Sequence, residues 1–463
     1  MSKLITKDSR LVEPGSIYCC FPGQHVDGHD YINQAIEKGA AKIYGTENIS
    51  GIENYIQVED INQTYTKLAQ ELYGYNDIKD KIKLIGITGT DGKTSTAYLI
   101  NRILNLYTKS AYLGTSGFVI GNQEGEYLGL TTPFAEDFYR YVKESYESGC
   151  EYLVMEVSSH ALEQQRLGNP SSSVNFAGIV FTNLTPEHLD FHHDMESYLQ
   201  AKLKLLEYCN SDSVVVCNGD DLNFQPIAVN SEVDGFSLHQ VNTKHQVEVI
   251  KSDLTGIEFK LDGQLIISNL IGEFNIYNLV SALLMINNLG FDITKQLEAI
   301  KTITVDGRME QYQLPNGGLA IIDFAHTPDS IKKVLELVKE KCQGQVIVVN
   351  GCAGERDSSK RPTIGTIMDI YCDYIFLTTD DPRSEGTYNI NQQIKQGITN
   401  LDKVVEEEDR AIAIKKAISL CNNNDVVLLL GKGGQAVQYM QEGAVEYIEQ
   451  EVLQKMIGEV YGR

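Results

Sequence analysis

Short apolar runs recur along the chain, each closed by a glycine-rich or acidic turn and followed by residues at helical spacing. Such runs predict buried strands, and the helical period after them predicts amphipathic helices. The run at 84–87 predicts a strand, a glycine-rich turn breaks it, and 97–104 predicts a helix. Runs at 151–157 and 177–183 predict two more strands, followed by a helix over 195–207 and a strand over 213–218. Alternation of this kind over 81–305 implies a mostly parallel sheet with helices on its faces. Upstream, 1–80 reads as a smaller α/β unit, with strands at 16–21, 41–44 and 55–58 and helices at 31–38 and 64–73. Gly39 is placed to end the first of those helices. Downstream, 306–463 restarts the alternation, with strands at 319–324, 346–350, 374–378 and 425–430 and helices at 330–341 and 410–419. The prediction is α/β with three domains: a small N-terminal α/β domain, a central domain with a mostly parallel sheet and a C-terminal α/β domain.

The turn after residue 87 carries the most chemistry. It reads Gly86-Ile87-Thr88-Gly89-Thr90-Asp91-Gly92-Lys93-Thr94-Ser95. Strand, glycine loop, Gly-Lys-Thr and helix form the arrangement that cradles phosphate. Glycines let backbone N–H groups turn toward anionic oxygens, and the helix N-terminus adds its positive end. Lys93 is placed to reach the β/γ-phosphates and Thr94 to hold Mg²⁺ through its hydroxyl. The glycines at 86, 89 and 92 depart from the strict spacing of that motif. A surface loop is the competing reading, and the flanking strand and helix weigh against it. Ligands of such sheets sit beyond the carboxyl ends of the strands, so Glu156 and His188 are expected in one crevice with Lys93. Polar clusters also close the strands of the last domain, at 323–326, 351–356, 380–383 and 431–435, which implies a second binding face.

Composition narrows the function classes. A chain of 463 residues exceeds one ordinary core. The net charge of −24 argues against non-specific nucleic-acid binding, so an anionic substrate needs locally concentrated basic groups. Nine cysteines, with Cys19 and Cys20 adjacent, argue for reduced thiols in a cytoplasmic protein rather than a disulfide framework. The first residues lack a signal-peptide core, and no apolar run approaches membrane-spanning length. A monomer without a nucleic-acid or membrane partner is expected. The loop with His25, Asp27, His29 and Asp30 reads as solvated or ligand-facing rather than metal-binding, because no third cluster lies nearby.

Further motifs follow in order. The first domain has Asp8-Ser9-Arg10 with Pro14-Gly15, and Asp27-Gly28-His29. The central region adds Thr131-Thr132-Pro133, Met155-Glu156-Val157-Ser158-Ser159-His160, Thr182-Asn183, His188-Leu189-Asp190, Ala201-Lys202, and Phe274-Asn275 with Asn278. The last adds Gly307-Arg308-Met309-Glu310, Asp323 with Ala325-His326-Thr327-Pro328, Arg356-Asp357 with Lys360-Arg361-Pro362, Asp380-Asp381-Pro382-Arg383 and Gly431-Lys432-Gly433. With the phosphate loop, these motifs resemble the Mur ligase family and, within it, the UDP-N-acetylmuramoyl-tripeptide synthetases.

The resemblance implies a central P-loop ATPase-like domain and a C-terminal Rossmann-like domain, and ATP-dependent amide formation between a diamino acid and UDP-N-acetylmuramoyl-L-alanyl-D-glutamate, through an acyl phosphate, in peptidoglycan synthesis. It also implies roles, residue by residue. Gly89, Thr90, Asp91, Gly92, Lys93, Thr94 and Ser95 would bind ATP, with Asn275 and Asn278 on the adenine side and Arg308, Asp323, His326 and Lys360 from the last domain. Lys93, Glu156, His188 and Lys202 would be catalytic; Thr94, Glu156, His188 and Lys202 would serve Mg²⁺, Lys202 as the position that is carbamoylated in the family. Ser9 and His25 would contact the uridine diphosphate, and Thr131, Thr132, Ser158 and Arg166 the muramyl peptide. The residues alone leave a solvated lysine at 202 and an interdomain salt bridge for Arg308 and Asp323 as competing readings. Two rival functions are a Mur-like amide ligase outside the cell wall, such as a folylpolyglutamate synthetase relative, and a non-catalytic nucleotide-binding regulator. The N-terminal motifs argue against the first and the intact phosphate and metal residues against the second.

Arg356, Asp380, Asp381, Arg383, Gly431 and Gln435 are expected around the acceptor amino acid. Family members that use meso-diaminopimelate carry Asp-Asn-Pro-Arg and Gly-Lys-Gly-His-Glu in these places. Here Asp381 stands for the Asn, and Gly434-Gln435 for the His-Glu. A carboxylate at 381 would repel the distal carboxylate of diaminopimelate and attract the distal ammonium of lysine. Unit charges at 4 Å interact by about 4 kcal/mol at an effective dielectric of 20. L-Lysine is therefore the expected acceptor, with meso-diaminopimelate as the alternative. Arg383 pulls toward that alternative, since a guanidinium forks onto a carboxylate.

Overall fold

The apolar run at 84–87 lies in the strand Lys83–Thr88, the axis of a mostly parallel sheet. The computed structural model describes residues 4–23, 26–121, 129–170, 174–239 and 242–462. The chain divides into two units, Met1–Gln246 with Asn278–Ile293 and Val247–Tyr277 with Thr294–Arg463.

In the first unit, Lys83–Thr88 pairs in parallel with Tyr152–Glu156 on one side and Phe176–Phe181 on the other. Leu84, Ile85 and Ile87 are buried. A central parallel strand is covered on both faces, which is why the sequence shows a continuous apolar run instead of alternation. Ser110–Gly114 extends the sheet beyond Tyr152–Glu156 and is followed by the antiparallel edge strand Gly117–Ile120. Cys209–Asn218 and Asp234–Ser237 extend it in parallel on the other side. Ile87 pairs with Glu156 and with Val180, so the turn after Thr88 leaves the sheet between the carboxyl ends of two neighbours. The helix Lys93–Leu104 follows at once, and its Leu99, Ile100, Ile103 and Leu104 are fully buried.

The small N-terminal sheet orders Ile5–Thr6, Ile17–Cys19, Lys42–Gly45 and Tyr55–Gln57 sequentially and in parallel. Its second main helix, Ile61–Tyr73, starts where Asp60 accepts the Gln63 N–H and ends at Gly74 with φ 64°. Tyr65 and Ala69 of that helix share a core with Phe138 and Tyr139 of Ala135–Glu147.

The second unit holds a six-stranded sheet in the order Glu310–Gln313, Leu319–Asp323, Val426–Leu430, Val346–Asn350, Tyr374–Leu377 and Val404–Glu406. Only the first pair is antiparallel. Ile321, Val348 and Leu428 join a core with Ile331, Leu335 and Ile364, whereas Val349, Val427 and Leu429 join one with Ala413, Ile414 and Leu453. Strand alternation thus gives the sheet one core per face.

The stretch 247–268, expected within alternating parallel elements, instead forms three antiparallel strands ending in Gly256–Leu261 and Gln264–Ser268. Asp262 and Gly263 connect the last two with φ 49° and 86°. This is the Asp-Gly hairpin turn, whose paired positive φ values match the strand twist. Among the described residues, no helix is long and apolar enough to cross a membrane.

Candidate active site

Two glycines shape the phosphate loop. A Cβ on Gly89 would fall 1.8 Å from Thr182 Oγ1, and one on Gly92 would fall 2.5 Å from Asn278 Oδ1. Both have positive φ, which side-chain residues adopt at a cost. The strand end Thr182-Asn183 staples the loop down. Asp91 O accepts Thr182 Oγ1 at 2.7 Å and Asn183 Nδ2 at 3.0 Å, while Asn183 Oδ1 accepts the Asp91 N–H at 2.9 Å. Lys93 Nζ folds back onto Gly89 O at 3.0 Å and Thr90 O at 2.6 Å.

Glu156 is fully buried and is the hub of the site. Its Oε2 accepts Thr94 Oγ1 at 3.0 Å and Thr115 Oγ1 at 3.1 Å; its Oε1 accepts Tyr112 OH at 2.5 Å and the Thr115 N–H at 2.8 Å. Burial, with Glu156 next, pushes the Tyr112 hydroxyl well above the ordinary phenol range, so it remains a donor. A Cβ on Gly114 would lie 2.3 Å from Glu156 Oε1, so only glycine admits the carboxylate there.

The hub continues toward the expected peptide side. The Thr115 and Thr131 hydroxyls lie 3.1 Å apart. Thr132 Oγ1 donates to Glu156 O at 2.9 Å and accepts the Ser158 N–H at 3.0 Å. Arg166 Nη1 donates to Thr132 O at 2.8 Å, its Nε donates to Gln164 Oε1 at 3.0 Å, and its guanidinium covers the Phe134 ring at 4.5 Å. Lys7 Nζ also lies over that ring.

Lys202 is 1% exposed, and its Nζ donates to Gly89 O at 2.6 Å. The solvated-lysine reading is thereby corrected. Burial, and then Lys93, drive its pKa well below the ordinary lysine value. His188 has φ 56°, and its ring lies 4.7 Å from that of His160. Desolvation lowers both histidines, His160 to about 4. Asn278 Oδ1 accepts Thr96 Oγ1 at 3.2 Å.

In the N-terminal part, Ser9 Oγ donates to Gln34 Oε1 at 2.6 Å. His25 lies outside the described residues. Asp27, His29 and Glu47 bring ligand-type atoms within 4.8 Å of one another. Both imidazole nitrogens are already engaged: His29 Nδ1 meets Asp27 at 2.6 Å, and Nε2 accepts the Thr46 N–H at 3.1 Å.

The second unit carries the other expected residues. Asp323 is buried and accepts the N–H groups of Met309 and Ala325, each at 2.8 Å. Burial raises its pKa, and Arg308 offsets part of that. Arg308 covers the Phe324 ring at 4.2 Å, and His326 Nδ1 lies 3.1 Å from Phe324 O. Lys360 opens the helix Lys360–Tyr371, and Asn275 Nδ2 donates to Ile271 O at 2.8 Å. At the strand ends, Lys432 is fully buried, with Nζ 2.7 Å from Asp381 Oδ1 and 3.8 Å from Asp380 Oδ1. It also donates to Gln435 Oε1 at 3.3 Å and Val437 O at 2.7 Å. A Cβ on Gly431 would fall 2.9 Å from Asp380 Oδ2. Arg383 has φ 51°, and its guanidinium lies 5.2 Å from the Tyr439 ring centroid. Arg356 is exposed in the neighbouring loop.

The Mur ligase family catalytic domain matches residues 2–72, the Mur ligase middle domain 87–286, and the glutamate ligase domain of Mur ligases 307–433. The chain is 34% identical to a UDP-N-acetylmuramoyl-L-alanyl-D-glutamate–2,6-diaminopimelate ligase of Prochlorococcus marinus, over 98% of this chain and 94% of that protein. It is 35% identical to the enzyme of that name from Clostridium perfringens, over 97% and 93%. The chain belongs to the Mur ligase family. A solved structure of a diaminopimelate ligase of this name is 27% identical, with TM-score 0.67 over 99% of this chain and 95% of that one. The ADP complex of a Thermotoga maritima MurF ligase, 18% identical with TM-score 0.63 over 100% and 98%, shares the fold.

This Mur ligase is an ATP-dependent ligase, and its geometry corrects one expectation. Asp381 is not a free carboxylate awaiting an acceptor ammonium. Lys432 neutralises it, and its Oδ1 also accepts the Tyr439 N–H at 3.0 Å. Charge at 381 therefore gives lysine no advantage over diaminopimelate. Sequence reasoning missed Tyr112, Thr115, Gln164 and the role of Lys432. Tyr112 sits in an apolar strand and reads as core, whereas Lys432, between two glycines after an apolar run, carried a usable signal.

Proposed function

We propose that this Mur ligase joins a diamino acid to the D-glutamate carboxyl of UDP-N-acetylmuramoyl-L-alanyl-D-glutamate in peptidoglycan synthesis, and that the acceptor is meso-diaminopimelate. Two things support that acceptor: the names of the relatives and the side chains around Arg383. With Asp381 spoken for by Lys432, Arg383 is the group suited to a distal carboxylate. Its Nε is buried without a hydrogen-bond partner among the described residues. On this reading 1–80 takes the nucleotide-linked substrate, 81–305 takes ATP and 306–463 takes the amino acid. Nine free thiols suit a reducing cytoplasm.

A carboxylate does not react with an amine at neutral pH, because its leaving group is poor. Transfer of the γ-phosphate to the substrate carboxylate makes an acyl phosphate; the amine then attacks the carbonyl carbon and phosphate leaves. Such chemistry needs positioning and charge neutralisation. Lys93 supplies positive charge at the phosphates. The Thr94 hydroxyl and Glu156 carboxylate are hard oxygen donors and fit Mg²⁺, which would neutralise phosphate oxygens when bound. His188 and a carbamate on Lys202 would serve a second ion. The observation that carries the reading is the run of contacts from Thr94 through Glu156 and Thr115 to Thr131, which links the phosphate loop to a residue this reading assigns to the peptide.

A phosphate-release assay tests it. Release should require the muramyl dipeptide nucleotide and the diamino acid together. Release that is indifferent to the nucleotide-linked substrate would favour a ligase outside the cell wall.

A further inference from the structure

The two loops that carry Arg356 and Arg383 are tied by several bonds, two of them made by Glu385. Glu385 Oε1 accepts the Glu355 backbone N–H at 2.6 Å, and its Oε2 accepts Arg361 Nη1 at 2.6 Å. Arg361 is fully buried; its Nη2 donates to Ala353 O at 2.8 Å, and its Nη1 also donates to Gln393 Oε1 at 2.8 Å. A reciprocal bond runs from Ser384 Oγ to Glu355 Oε1 at 2.5 Å. Gly354 N–H donates to Asp381 O at 2.8 Å. Glu355 and Arg383 both hold left-handed backbone, φ 56° and 51°. Side-chain residues stay there only when surrounding contacts fix them. Glu385 grips the N–H of the residue before Arg356 and lies two residues after Arg383, whose own N–H donates to Tyr439 O at 3.1 Å, so it ties the loop of one guanidinium to the loop of the other.

We propose that Glu385 is a positioning residue that fixes the spacing of Arg356 and Arg383, and with it the preference for an acceptor bearing a second carboxylate. The selectivity half of this rests on the acceptor reading above. A carboxylate presents two acceptor oxygens to two donors. Glutamine has the same size but one oxygen, and its amide N–H₂ must face either Arg361 or the Glu355 N–H. Glu385→Gln therefore breaks one tie without opening a cavity.

Steady-state kinetics of wild type, Glu385→Gln and Gln393→Leu, with ATP, meso-diaminopimelate and lysine each varied, test the proposal. Glu385→Gln should raise the diaminopimelate KM about tenfold, the scale of one charged hydrogen bond, and leave the ATP KM within about twofold. Its diaminopimelate-to-lysine ratio of kcat/KM should fall by a similar factor. Gln393→Leu removes an Arg361 contact that ties neither loop, and should lower the melting temperature with that ratio unchanged. If Glu385→Gln melts below the assay temperature, Ser384→Ala breaks the reciprocal bond and should raise the same KM. Equal losses for ATP and both amino acids, or an unchanged acceptor KM in folded protein, would overturn the proposal. A wild type that takes only lysine overturns the acceptor reading instead, and the tie is then judged on lysine's KM against ATP's.

Discussion

Lys93 and Lys202 share one acceptor: both ammonium groups donate to the carbonyl oxygen of Gly89, at 3.0 and 2.6 Å. Burial first, and then the Lys93 cation on the same carbonyl, favour the neutral form of Lys202, and its pKa falls accordingly. A neutral amine is what adds carbon dioxide: the nitrogen lone pair forms the N–C bond, and the amine proton leaves to solvent. Carbamoylation would turn a like-charge neighbour of Lys93 into an opposite charge. Lys202→Ala should be nearly inactive and partly rescued by short carboxylates. Normal turnover by that variant would remove Lys202 from the mechanism.

The Glu156 hub makes a second prediction. Tyr112→Phe deletes one donor to a buried carboxylate and leaves the ring in place. A lost hydrogen bond to a charged group is worth about 1.5–3 kcal/mol, so kcat should fall roughly tenfold or more. The fold should persist, as judged by an unchanged circular dichroism spectrum. Wild-type kcat in this variant would mean that Thr94 and Thr115 orient Glu156 unaided.

Lys7 gives a pH prediction. Burial lowers its pKa from 10.5 to about 8 in the folded chain. Between those values the unfolded state binds more protons, so stability rises with pH; below the folded pKa the burial penalty is present in full. Lys7→Met removes that penalty. Its urea midpoint should exceed wild type most below pH 8 and converge with it as pH approaches 10.5. A difference independent of pH would show that the Lys7 charge carries no penalty.

Asp381→Asn should act on stability, not on acceptor choice. It removes the charge facing the fully buried Lys432 and leaves an amide oxygen as acceptor in its place. Breaking a buried pair from one side costs about 3–5 kcal/mol, less where Asp380 remains nearby. A large drop in urea midpoint with an unchanged acceptor ratio is expected. A shift in that ratio without a stability loss would restore the charge argument at 381.

Much of the site is local and therefore legible. The loop from Gly89 to Ser95 is contiguous, and Lys83–Thr88 before it shows as an unbroken apolar run because both its faces are covered. Contacts distant in sequence are not legible in this way. Tyr112 meets Glu156 across 44 positions, and Lys432 meets Asp381 across 51. A lone carboxylate in a motif looks free until its partner is seen. The hairpin at 256–268 had its Asp262-Gly263 signal in plain view, but the helix–strand rhythm around it masked the change to antiparallel pairing.

Ligation by this chain should need ATP and select a diamino acid with two carboxylates. Wild-type protein, ATP, Mg²⁺ and UDP-N-acetylmuramoyl-L-alanyl-D-glutamate, given equal meso-diaminopimelate and L-lysine, test it in one reaction read by mass spectrometry. A nucleotide tripeptide with the mass of the diaminopimelate adduct should form, absent without ATP and absent with Lys93→Ala. A lysine adduct as the main product, or any adduct formed by Lys93→Ala at the wild-type rate, would contradict it.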